Sequence, residues 1–448
     1  MLSVQEAEAR AAALVERAAR AGADAADALY YANASTSVQV RLGELEDVAR
    51  NEAETIALRL FVGSRSASVS SSDLSDDALA ALVERAAAMA REAPEDPWSG
   101  LAPEDRLMRE PGPDVDGDDG ADPTPLELKR RSLAIEDAGR SVEGITNSEG
   151  AGVSAGRSLF ALATSHGFCR GYPTTGYSSS ASLIAGEGSG MQRDYAYHSV
   201  RHYTELDDPE TLGRRAGERA VARLGPAKLP SGAMPVLFHP RVGNSLLGHL
   251  VSAIGGPAIT RGTSFLLDKE GESLFAGGIN VRDDPHRPRG LRSKPFDGEG
   301  LPTRPSNLVE AGRLTGWLLD SASARQLGRA PTGHALRSSG GAPGVGVTNI
   351  HMEPGSVTAA QLIGEVERGV YVTQLIGQGV NPVTGDYSRG ASGFIIEQGR
   401  LGPAVEEITI AGNLLDMFAN LAAADDLEFR YTANVPTLRI DGMTVAGA

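Results

Sequence analysis

SVQEAEARAAALVERAARAG (residues 3–22) opens the chain with a helix whose two ends are both legible. Ser3 can accept a hydrogen bond from the amide three residues on, Glu6 stands there to answer it, and Gly22 stops an alanine-rich amphipathic run. Beyond it, 28–42 and 56–69 carry β-branched and aromatic residues and read as strands, with GSRSASVSSS (63–72) as a turn or bulge. A second helix follows over 75–91. Helix, strand, strand, helix in that order predicts an α+β arrangement for this first unit, residues 1–93.

The composition then shifts. Residues 94–123 hold a series of prolines and the acidic run DVDGDD (114–119), which reads as a solvated linker. A second unit, 124–229, begins where Thr124, Pro125 and Glu127 agree on a helix start; the helix is expected to reach about residue 139. From 145 to 203 small residues alternate with apolar ones, as in LFALATSHGF, which predicts an antiparallel sheet. Asp208-Pro209-Glu210 starts another helix. The third unit, 230–448, is more irregular: a strand at PVLFHP, a helix over 242–254, turn-dense stretches such as PHRPRG, DGEG and SSGGAPG, a helix at 357–369, strands near 371–376 and 392–401, a helix near 412–424 and a last strand at 437–445. The fold expected is α+β, an α/β N-terminal region with a mixed or antiparallel sheet followed by a large, mostly β C-terminal domain.

Composition narrows the function. The 448 residues include 41% hydrophobic and 22% charged side chains, ordinary for a globular chain, with 54 glycines and only 5% aromatics. A net charge of −16 gives no footprint for phosphate backbones, so neither nucleic acid nor an anionic membrane is expected as a partner. Cys169 is the sole cysteine, no stretch approaches a membrane span, and the N-terminus has acids where a signal peptide would be basic. A reduced, cytoplasmic location is the expectation.

Most motifs that suggest chemistry fail on their own requirements. A calcium loop starting at Asp114 would put Asp119 and Pro125 where its glycine and closing glutamate must stand. Gly152-x-Ser154-x-Gly156 matches the nucleophile-elbow string, but the following residues look like a strand, not the helix that the elbow needs. His198 and His202, and His166 with Cys169, are spaced for a shared face but lack a third ligand nearby. No phosphate-binding loop is complete. The informative segment is Asn244-Ser245-Leu246-Leu247-Gly248-His249: a helical H-E-x-x-G-H site needs two imidazoles on one zinc and a glutamate to take a proton from its water. Here Asn244 and Ser245 replace the first histidine and the glutamate, and only Gly248 and His249 remain.

Several long strings resemble the TldD/PmbA family, in its PmbA or TldE branch: SLLGHLVSAIGG (245–256), KPFDGEGLPTR (294–304), LLDSASARQLG (318–328), TGHALR (332–337), TNIHMEPG (348–355), YSRGASGFIIEQGR (387–400), ITIAGNLLDMF (408–418) and MTVAG (443–447). The resemblance spans essentially the whole chain and is strongest after about residue 230. It implies an α/β part followed by a large β domain, and a heterodimer in which a TldD-like paralogue carries the intact H-E-x-x-G-H and a C-terminal cysteine ligand. Such a pair degrades or processes unfolded peptides. This chain has no cysteine in its tail, so no metal is expected here and zinc is expected in the partner; a metalloprotease label would be inherited.

The favoured expectation is therefore a TldE/PmbA-like subunit, inactive alone, that receives extended peptides by strand addition. Two alternatives stand beside it: a stand-alone hydrolase with a relocated site on Ser154 or on His166, Cys169, His198 and His202, and a non-enzymatic regulatory or interaction protein. His249 is the remnant of the motif, and Arg304 and Arg389, set in glycine-rich turns, are candidates to grip a peptide carboxylate.

Overall fold

The computed structural model describes residues 1–337 and 341–447; positions 338–340 of the expected SSGGAPG turn lie outside the described residues. Helix α1 (Val4–Arg20) is closed at its start by the Ser3–Glu6 capping box, each partner satisfying the other's amide. Strands β1 (Ala25–Arg41), β2 (Glu44–Val62) and β3 (Arg65–Ser71), helices α2 (Asp76–Glu92) and α3 (Pro125–Arg140), strands β4 (Ile145–Thr164), β5 (Cys169–Ala185) and β6 (Gln192–Val200), and helix α4 (Pro209–Ala222) follow. The strands form one antiparallel sheet in the order β3-β2-β1-β4-β5-β6. The β1–β4 pairing thus runs a single sheet through both of the first two sequence units.

Strand parity places the helices. Ala26 and Ala28 of β1 pack with α1 and α2, while Val38 and Val40 pack with α3 and α4. All four positions are even, so both helix pairs cover the same face at opposite ends of the strands.

Helices α3 and α4 meet backbone to backbone. A Cβ added at Gly213 would stand 1.9 Å from the carbonyl oxygen of Ile135. Alanine gains about 1 kcal/mol of helix propensity at such a position. Forcing the helices apart costs about 1–3 kcal/mol or more. Gly213→Ala should therefore lower the urea midpoint with an unchanged m-value, whereas an equal or higher midpoint would show that the helices part freely.

Several expectations need correction. The 63–72 turn is confined to Gly63 and Ser64, after which the chain forms β3. Strand β2 begins well before residue 56, at a tight reversal where Leu42 and Gly43 both take positive φ (53° and 83°). Its first half is polar and exposed, so it lacks the apolar alternation of a strand. The 94–123 segment is irregular but not a free tether: Leu101, Ala102, Met108 and Val115 are buried, and Asp119 accepts from the Tyr177 hydroxyl and the Tyr203 amide. The expected helix at 357–369 shortens to Ala359–Gly364, and that near 412–424 to Leu414–Ala419. The strand expected at 392–401 is a hairpin of Asp386–Glu397 with Arg400–Asn413, turning at Gln398 and Gly399.

The C-terminal part is built round β7 (Gly232–Phe238), which pairs in parallel with Arg368–Ile376 and antiparallel with Leu438–Ala446. Because Arg400–Asn413 pairs with both Asp386–Glu397 and Leu438–Ala446, this sheet closes on itself. Helix α5 (Pro240–Ile254) leaves β7 through His239, whose ring accepts from the Arg241 amide, with Pro240 at its first position. It buries Val242, Leu246, Leu247 and Leu250 in the main core. The fold is α+β with a large β-rich C-terminal domain.

Candidate functional site

Helix α5 carries the residues of the degenerate motif. Ser245 donates its hydroxyl back to the Val242 carbonyl (2.7 Å), the local bond that a mid-helix serine makes when no other acceptor is offered. His249 is half-buried, and its Nε2 is buried without a hydrogen-bond partner among the described residues.

Opposite it stands strand Asp386–Glu397. Tyr387 and Arg389 are two apart and so share a face. The Tyr387 ring meets the His249 ring edge-on at 6.0 Å and 79°. The Tyr387 hydroxyl and the Arg389 Nε are also buried without a partner among the described residues. Burial pushes the tyrosine pKa up to about 12 against the opposing pull of Arg389. Burial first, and then the Arg389 charge, hold the His249 pKa below its ordinary value, so the imidazole is neutral at neutral pH. Three uncommitted polar groups from two elements therefore surround one small region.

Of the sequence candidates, the fold brings His249 and Arg389 together. Arg304 is exposed and makes none of these contacts. Tyr387 was missed, although its i, i+2 relation to Arg389 in YSRG was a usable signal. The relocated-site candidates are dispersed: Ser154 lies mid-strand between Ser37 and Ser178, with no elbow. His198 Nδ1 accepts from the Asp207 amide, and His202 Nε2 lies 3.1 Å from an Asp116 carboxylate oxygen. His166 faces the Ala102 carbonyl, while Cys169 is exposed beside that of Glu8. Within 114–119, Asp114 and Asp118 accept from loop amides, as linker residues do.

The α5 cluster does not fit a zinc ion. Zinc needs three or four nitrogen, sulfur or carboxylate donors, whereas here one imidazole faces a phenol and a guanidinium whose positive charge would oppose a dication. Among the described residues no group of three or more His, Cys, Asp or Glu side chains could hold a metal.

Family models described as PmbA/TldA metallopeptidase domain 1, central domain and C-terminal domain match residues 26–90, 118–224 and 231–447. The chain belongs to the PmbA/TldD family. Among its relatives, metalloprotease PmbA of Escherichia coli O157:H7 is 37% identical over 95% of this chain and 92% of its own, and the PmbA homolog of Haemophilus influenzae is 36% identical over 100% and 98%. A Bacteroides thetaiotaomicron structure described as a candidate modulator of DNA gyrase has a TM-score of 0.92 at 27% identity, with both chains covered in full. TldE from Thermococcus kodakarensis shares the fold, with a TM-score of 0.87 at 22% identity over 97% of this chain and 99% of that one. No described helix of this PmbA/TldD family member is long and apolar enough to cross a membrane.

Proposed function

We infer that the chain is the TldE-type subunit of a TldD/TldE-type metallopeptidase acting on unfolded peptides in the cytoplasm, with the catalytic zinc held by a TldD-like partner. The observation that carries this reading is Arg389 beside His249: the imidazole of the degenerate motif faces a cation and a phenol, and among the described residues it belongs to no group of three or more His, Cys, Asp or Glu side chains that could hold a metal. A neutral imidazole, a phenol and a guanidinium can donate to peptide carbonyls, so the vestigial site suits contact with an extended chain better than hydrolysis. Arg389 keeps its place in this reading; Arg304 has only its exposure to recommend it.

Purified alone, the chain is expected to carry far less than one zinc by elemental analysis and to leave an unfolded casein-type substrate intact. With a paralogue holding an intact H-E-x-x-G-H it should form a stable complex that cleaves that substrate and is silenced by a chelator. Stoichiometric zinc and cleavage by the lone chain would overturn the reading. The gyrase description of the Bacteroides relative supplies a second assay: supercoiling by gyrase should not change when the chain is added.

A further inference from the structure

At the first turn of α5, a little over two turns ahead of His249, lies a cavity of about 300 Å³. Its aromatic wall comes from YAYHSVRHY: Tyr195 and Tyr197 share one face of β6, with ring centroids 6.2 Å apart, and Tyr431 stands 5.5 Å from Tyr197. Tyr197 is exposed, so its ring and hydroxyl are open to an incoming group.

Most cations around the cavity are spoken for. Arg241 grips Asp194 with two bonds of 2.6 and 2.8 Å, and Asp207 takes both Arg215 (2.9 Å) and Arg430 (2.6 Å). Arg219 differs. Its one hydrogen bond goes to the Tyr195 carbonyl (3.2 Å), and it forms no ion pair among the described residues. Burial, with Arg241 adding to it, lowers its pKa against the opposing pull of Asp194, which Arg241 already holds. His239 closes the cavity. Its Nδ1 accepts from the Arg241 amide, and burial depresses its pKa to about 3, so the ring is neutral and its proton sits on Nε2 as a donor. The acids present compete little: Asp426 is held by the amide and hydroxyl of Thr437 (2.7 Å each), and Glu428 is exposed.

We propose that this cavity binds the C-terminal carboxylate of a short peptide, with Arg219 as its counterion and the tyrosine rings packed on the terminal side chain. One uncompensated guanidinium matches a monoanion, and the surrounding donors match its oxygens. A phosphate dianion would be under-neutralised by a single guanidinium. An amidated terminus would aim its own donors at these donors. This site rests on the reading of the chain as a peptide-handling subunit and deepens it.

The test is calorimetric titration of the full chain, without partner, by a tripeptide ending in phenylalanine, as free acid and as amide, with acetate and inorganic phosphate alongside. The free acid is expected to bind roughly tenfold or more tightly than the amide. Arg219→Gln should remove that preference, and Tyr197→Phe, which deletes only a hydroxyl, should weaken the free acid several-fold at unchanged thermal stability. Equal binding of acid and amide, no binding of either, or phosphate or acetate binding as tightly as the tripeptide would overturn the site. Because no partner or proteolysis is involved, a chain that binds the free acid but supports no peptidase keeps the site and loses the subunit reading. The converse result does the opposite.

Discussion

Replacing Asp27 with asparagine is expected to cost about 3–5 kcal/mol of stability, the range for breaking a buried ion pair from one side. Asp27 is 1% exposed and takes two arginines. Arg59 reaches one of its oxygens through Nε (2.8 Å) and Nη2 (2.6 Å), and Arg337, from the TGHALR string, reaches the other through Nη2. Burial by itself would raise the carboxyl pKa, but Arg337 and Arg59 outweigh it and the net direction is down. The triad joins strands β1 and β2 to the C-terminal domain. An asparagine side chain would keep the shape and remove the charge, leaving two buried guanidinium groups facing each other. Thermal melting should show a loss of several degrees, with the C-terminal domain no longer held to the first sheet in limited proteolysis. An unchanged melting curve would mean that the three charges contribute nothing net to stability.

Glu299→Gln is expected to act in the opposite direction and only above mildly acidic pH. Glu299 is buried and accepts from the amide (2.9 Å) and hydroxyl (2.7 Å) of Ser321. Burial first and the neighbouring Asp297 second push its pKa up to about 7, against Ser321 and the Arg59 charge; Arg325 also faces it, while Lys294 faces Asp297. Between the ordinary value of 4.5 and about 7 the folded state holds a proton that the unfolded state has released. Stability therefore falls as pH rises through that window, by about 3 kcal/mol in all, and stays low above it. Asp297, also shifted upward by burial, adds a contribution of the same sign. Glutamine keeps an oxygen for Ser321 and never ionises, so the variant should lose most of this slope and be more stable than the parent at pH 8 by about 2–3 kcal/mol. Urea midpoints across pH 5–8 decide it: parallel curves for parent and variant would mean that Glu299 ionises without penalty.

Legibility followed the range of the interactions. The starts of α1, α3 and α4 were readable because their caps are local, as at Ser3 with Glu6, Thr124 with Glu127 and Asp208 with Thr211. The first half of β2 was not, because an exposed edge strand needs no apolar face. The 94–123 segment looked solvated since its prolines and acids dominate, yet Met108 bonds its amide to the Gly300 carbonyl and Val115 packs inside. In the site, His249 could be found from Gly248-His249 and Arg389 from its string. The unpaired state of both, and the part of Tyr387, depend on a strand pairing that no local pattern encodes.

By itself, then, the sequence determined the family, the starts of the principal helices, and that Asn244 and Ser245 precede Gly248-His249 with no cysteine in the tail. Those are matters of residue identity and short spacing. The tertiary structure alone decided which charges face which. It set Arg389 against His249, Arg59 and Arg337 on Asp27, and Arg219 beside the tyrosines with no ion pair among the described residues. The physical reason is that burial and charge act through space: the effect of a guanidinium depends on the dielectric and the partners around it, and strands and helices distant in sequence supply both.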